Sequence, residues 1–198
     1  MSEAIGPLTK IKIPTAPDAC TDIELSPPAK AMLTPQMGVA DFLSALIAAE
    51  LWRDAVFLMA RALPKREAVW WGCLAARSVT GAATPPPTVA ALEAAEAWVF
   101  QPSEEKRRAA MERARATKFD HPGIWAAVGA FWSGGSMAPL NSPPVPPADH
   151  LTSVAIKGAV SLAAVAVEPQ KAPEKYRHFL DQAIDIAKGG SGRRQAAG

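Results

Sequence analysis

Apolar positions show no sustained period up to residue 37; from Gly38 onward they fall into one helical face after another. Val39, Phe42, Leu43, Leu46 and Ile47 recur at three-and-four spacing, with Asp41 in the first turn, where the helix dipole favours a carboxylate. A second face follows from Trp52, with Ala55, Val56, Met59 and Leu63 inward and Arg53, Asp54 and Arg61 outward, and Pro64 stops it. Lys65-Arg66-Glu67 opens a third helix, 68–76, that is apolar nearly all round and is expected to be the most buried of the set.

Thr84-Pro85-Pro86-Pro87 is a hard break, and proline suits the first turn of the helix behind it, which carries Leu92, Ala95 and Val99. Ser103 is an N-cap residue type, and Glu104 and Glu105 suit the positive end of a fifth helix running to Lys118. That helix has only Ala110, Met111 and Ala114 to bury and is expected on the surface. Asp120-His121-Pro122 reads as the cap and first turn of a sixth, with Ile124, Trp125, Val128, Phe131 and Trp132 on its face and Gly134-Gly135 at its end. Five prolines make 136–147 a rigid, exposed loop. A seventh helix spans about 149–167, and an eighth starts at Pro173-Glu174 with Tyr176, Phe179, Leu180, Ala183, Ile184 and Ala187 inward.

The resulting expectation is an all-α fold of about eight helices in stacked antiparallel hairpins, a bundle or an irregular helical-repeat-like array, since no fixed-period repeat is found. Residues 38–190 form its single domain. Residues 1–37, with Pro14, Pro17, Pro27, Pro28 and Pro35, read as an extended Pro-rich leader, in which Ile11-Lys12-Ile13 could add a strand or pack in a groove. The Gly-containing polar tail 191–198 is expected to be disordered.

Composition narrows the function classes. Apolar residues make up 49% and include six Trp, enough for a sizeable core, while the formal net charge of +2 argues against a nucleic-acid binder with a dominant basic stripe. Cys20 and Cys73 are too far apart for a metal motif and too few for a disulfide framework, so a reducing compartment is expected. Met1–Lys10 lacks a basic segment followed by an apolar one, so no secretory signal is read and a cytoplasmic location is expected. The apolar run 151–167 is interrupted by Lys157 and falls short of a membrane span.

No residue pattern in the chain points to catalytic chemistry. His121, His150 and His178 form no metal-binding pattern, and the first two precede apolar helices as cap or first-turn residues. His178 shares helical spacing with Glu174, Asp181 and Asp185, an arrangement read as a solvated polar face, with metal binding or acid–base work as the disfavoured alternative. Ser133-Gly134-Gly135-Ser136 ends a helix instead of joining a strand to one, so it is no nucleophile elbow. No phosphate-cradling glycine loop occurs, and no cofactor is expected. The basic run 106–118 reads as a solvated helix face with Glu104–Arg108 as an i,i+4 pair. Trp70 and Trp71 point about 100° apart on a helix, so one of them is exposed unless that helix is central, and exposed Trp is enriched at binding hot spots.

Asp41-Phe42-Leu43, the run from Leu63-Pro64-Lys65-Arg66-Glu67 through Ala68-Val69-Trp70-Trp71, and Pro173-Glu174-Lys175-Tyr176-Arg177-His178-Phe179-Leu180 with Ile186-Ala187-Lys188-Gly189 together resemble a family of uncharacterised bacterial helical proteins. The resemblance covers roughly residues 38–190. It is associated with accessory proteins encoded near type VI secretion components, beside PAAR-like spike proteins and their adaptors, and it carries no catalytic residues. What it implies is a non-catalytic interaction module, an adaptor or chaperone for a secretion effector or spike component. The alternative is a small helical protein binding an apolar ligand or lipid between its third and seventh helices. The candidate partner-binding residues are Trp52, Pro64, Lys65, Arg66, Glu67, Trp70, Trp71 and Trp132, with the 136–147 loop as a second rim.

Overall fold

Prolines and caps set the helix ends in a computed structural model that describes residues 5–193. The chain runs α1 (Ala16–Ala19), α2 (Pro27–Met32), α3 (Val39–Ala48), α4 (Trp52–Ala62), α5 (Lys65–Arg77), α6 (Pro86–Phe100), α7 (Glu104–Arg115), α8 (Pro122–Phe131), α9 (Leu151–Ala166), a 3-10 turn (Pro169–Lys171) and α10 (Ala172–Lys188). The described residues contain no strand, and the fold is all-α. The eight long helices, α3 to α10, are the eight read from the sequence. Consecutive ones pack on each other from α5 to α10.

The leader departs from the extended arm expected of it. Its serine and threonine cap two short helices: Thr15 accepts the Asp18 N–H, and Ser26 accepts the Ala29 N–H. Prolines stand in the first turns of both, where no donor is missed. Ala16, Ala19, Leu25 and Ala29 are buried, and the Asp54 carboxylate of α4 accepts from both the main chain (2.8 Å) and the hydroxyl (2.9 Å) of Ser26. Those bonds satisfy a buried acid and fasten the leader to the bundle. Ile11-Lys12-Ile13 forms no strand; instead Lys10 donates its N–H to the Ala187 carbonyl at 2.8 Å.

The centre of the bundle is α8, not α5. Every residue of α8 except Trp125 is buried, among α5, α6, α7 and α9. Small residues let these helices approach closely. A Cβ on Gly129 would stand 2.7 Å from Ile156 Cδ1, and one on Gly72 would stand 3.0 Å from the same atom. The Ile156 side chain thus fills the space between α5, α8 and α9, at a gain of about 1.5–3 kcal/mol for a fully buried aliphatic side chain. No single helix among the described residues is long and apolar enough to cross a membrane. The pair α9 and α10 passes on length and composition but is bent by 120°.

The expected surface helix α7 buries one charge. Arg107 lies in the core wall, paired with Glu104, donating to the Ser136 carbonyl at 2.7 Å and to that of Phe131, and stacked 4.5 Å over the Phe131 ring. Arg108 adds a bond to the Ala138 carbonyl at 3.0 Å. The start of the 136–147 loop is thereby pinned to α7, and Met137 donates to Val145 across it at 2.8 Å.

The C-terminal end is likewise ordered as far as it is described. Gly189 adopts φ +101°, the left-handed conformation that terminates helices and favours glycine. The chain then turns back: Gly190 donates to the Asp185 carbonyl and Gly192 to the Asp185 carboxylate, both at 2.8 Å. Residues 191–193 are therefore docked, which corrects the disorder expected of the tail; the rest of it, 194–198, lies outside the described residues.

Candidate functional site

The α4–α5 corner is made by Leu63 and Pro64, whose extended backbone turns the chain between the two helices without a side-chain cap. Proline cannot continue α4, and its fixed φ suits the residue before α5. The corner brings Pro64, Lys65, Arg66, Glu67 and Trp70 onto one edge of the bundle, between two clefts.

One cleft, of about 360 Å³, is lined by Arg66, Glu67 and Trp70 of α5, Val99 and Phe100 of α6, and the returning 189–193 segment. Trp70 is partly buried and donates its indole N–H to the Ser191 carbonyl at 2.7 Å. Phe100 closes α6 with its ring 5.7 Å from the Trp70 ring and 65% of its surface exposed. Arg193 stacks 4.9 Å over the same indole, and Arg66 donates to the Val99 carbonyl at 2.6 Å. Lys10 pairs with Glu67 at 3.5 Å.

Lys10 also lines the second cleft, of about 270 Å³, with Lys12, Arg61, Leu63, Lys65, Asp149 and the first turn of α9. Asp149 meets Lys65 at 2.8 Å and Arg61 at 3.3 Å. The hydrogen bond from Lys65 holds the Asp149 carboxyl below the ordinary range, with the Lys65 and Arg61 charges adding to it. His150 occupies the N-cap position of α9 but makes no side-chain cap.

The other candidate residues are elsewhere. Trp71 is fully buried and donates to the Phe179 carbonyl at 2.7 Å, so it is a core residue and no partner can reach it. Trp52 opens α4 with Arg177 5.3 Å above its ring, and Trp132, at the end of α8, is partly buried against the core. Neither lines the corner clefts, and neither does the 136–147 loop. Phe100, Lys10, Arg61, Asp149 and 191–193 were not singled out by the sequence. Only the pattern of Phe100, a large apolar residue immediately past the buried Val99 at a helix end, hinted at it.

His178 and Asp181 share a separate cleft on α10 with Asp185, while Glu174 lines a different one beside His178. Among the described residues no three His, Cys, Asp or Glu side chains gather as a metal site. Both cysteines are free thiols. Burial, with the Asp54 charge adding to it, pushes Cys20 up to about 11, and burial pushes Cys73 well above its ordinary value, so neither is an activated nucleophile. His121 caps α8 as expected, its Nδ1 accepting the Gly123 N–H at 3.1 Å.

Residues 42–187 match the family of unknown function DUF6931, and the chain belongs to that family. No curated protein and no solved structure matches it.

Proposed function

We propose that this DUF6931 member is a non-catalytic protein-interaction module whose docking surface is the edge at the start of α5. The observation that carries the reading is the Trp70–Phe100 pair. A phenylalanine left 65% exposed beside a tryptophan fixed by a hydrogen bond is a pre-ordered aromatic anchor at the mouth of a cleft. Aromatic side chains held rigidly lose little entropy on binding and dominate interface energies. The resemblance to proteins encoded near type VI secretion components supplies the partner class to try first, an effector or a spike component, with this chain as adaptor or chaperone.

Co-expression of the tagged chain with the products of adjoining genes tests the proposal. A complex that survives purification and is lost on Phe100→Glu is the expected result. Monomeric behaviour beside every candidate, or a complex indifferent to Phe100→Glu, sinks it. In the alternative reading, an apolar ligand between α5 and α9, the two helices would have to part, since Ile156 joins them through Gly72.

A further inference from the structure

We infer that the partner segment taken by this edge is acidic and carries an aromatic or large aliphatic side chain. The inference rests on the interaction reading above and adds the partner's chemistry to it. The apolar side chain packs on Trp70 and Phe100, and the carboxylates lie along the cationic strip from Arg66 to Arg61.

Charge complementarity is the first argument. The two clefts are lined by six cationic side chains, Lys10, Lys12, Arg61, Lys65, Arg66 and Arg193, against the carboxylates of Glu67 and Asp149. With Asp22, which pairs with Arg61 at 3.5 Å, counted among the acids, the local surplus is three, above the formal net charge of +2 carried by the whole chain. Complementary charge at a rim steers encounter and fixes register.

Arg61 supplies the second argument. A guanidinium has five donors in a planar fork. Among the described residues its ion-pair contacts are Asp149 at 3.3 Å and Asp22 at 3.5 Å, both longer than the 2.7–2.9 Å typical of a charge-assisted bond. Its Nε is buried and has no hydrogen-bond partner among the described residues. Asp149, two-thirds exposed and held by Lys65, already places a carboxylate of this chain at the spot. An incoming glutamate or aspartate would meet the terminal guanidinium nitrogens of Arg61, which hold Asp149 and Asp22 only at long range, with the same chemistry. Glu67 and Asp149 stand on the strip and repel a continuous phosphate backbone, which favours a peptide with spaced charges over a nucleic acid.

Fluorescence anisotropy with a short synthetic peptide alternating glutamate with phenylalanine and leucine tests the inference. Two controls replace every Glu by Gln, or every Phe and Leu by Ser. The expected result is binding at least about tenfold tighter for the acidic apolar peptide than for either control. It should be abolished near 1 M salt, where the Debye length is about 3 Å. Phe100→Ala and Lys65→Glu, both on accessible side chains and checked for folding by circular dichroism, each weaken it about tenfold. Equal binding of the Gln peptide with loss on Phe100→Ala overturns the acidic preference while leaving the docking surface intact. No binding of the acidic peptide, indifference to Lys65→Glu, or tighter binding of single-stranded RNA or of vesicles containing anionic lipid overturns the inference outright.

Discussion

Trp71 donates its indole N–H to the main-chain oxygen of Phe179 at 2.7 Å, inside the core and 108 positions along the chain, while its neighbour Trp70 reaches outward to Ser191. Two adjacent tryptophans thus tie α5 to two different parts of the C-terminal region. One does so through the interior and the other along the rim.

Their substitution is expected to separate these roles. Trp71→Phe removes a buried donor and part of a large side chain, and should lower unfolding free energy by about 2–3 kcal/mol. Trp70→Phe loses one partly solvated bond and should lower it by about 1 kcal/mol. Urea denaturation followed by circular dichroism measures both. Equal losses would contradict the assignment of Trp71 to the core and Trp70 to the rim.

The Glu104 carboxyl is held at about 2, chiefly by the hydrogen bond from Arg107. Its folded value lies below its unfolded one, so between them the unfolded chain binds more protons and stability rises with pH. The contribution is complete above about pH 4.5 and lost as pH falls through about 2. Because Glu104 is half exposed, solvent screens the pair and the gain is modest. Glu104→Gln should flatten the acid limb of a stability-versus-pH curve, and a limb left unchanged would show that other carboxylates set it.

Burial depresses the His121 value, against weaker opposing pulls from the Val79 main chain and the Asp120 charge. Its Nδ1 caps α8 only when unprotonated. The folded value again lies below the unfolded one, near 6.5, so this contribution is present above that pH and is lost as pH falls through the folded value. His121→Asn keeps a capping side chain and removes the titration. Thermal melts at about pH 5 and pH 8 should therefore differ less in the variant, and an undiminished difference would exclude His121 as a source.

The number, order and ends of the eight long helices were legible in the sequence because they depend on local chemistry, whereas the two short helices of the leader were not. The 3.6-residue recurrence from Val39 to Ala187, the stops at Pro64 and Pro85, the Ser103 and His121 caps and the terminating Gly189 all act within one or two turns. The turn at Pro64 and the start of the helix carrying Trp70 were legible for the same reason. What the tertiary structure alone decided is how these pieces are shared out. Trp71 is buried and Trp70 is at the rim because α8, α9 and α10, distant in sequence, pack on α5, with Trp71 reaching Phe179 of α10 and Trp70 reaching Ser191. Arg107 goes inside because the carbonyls of Phe131 and Ser136 converge on its fork, and no local pattern announces two free carbonyls some 24 and 29 residues away. Phe100 and Arg61 come to line clefts only when the leader's Lys10 and Lys12, Asp149 and the returning 189–193 segment arrive beside them. Periodicity specifies which face of a helix is buried. Which neighbour buries it, and what is left uncovered, depends on long-range packing.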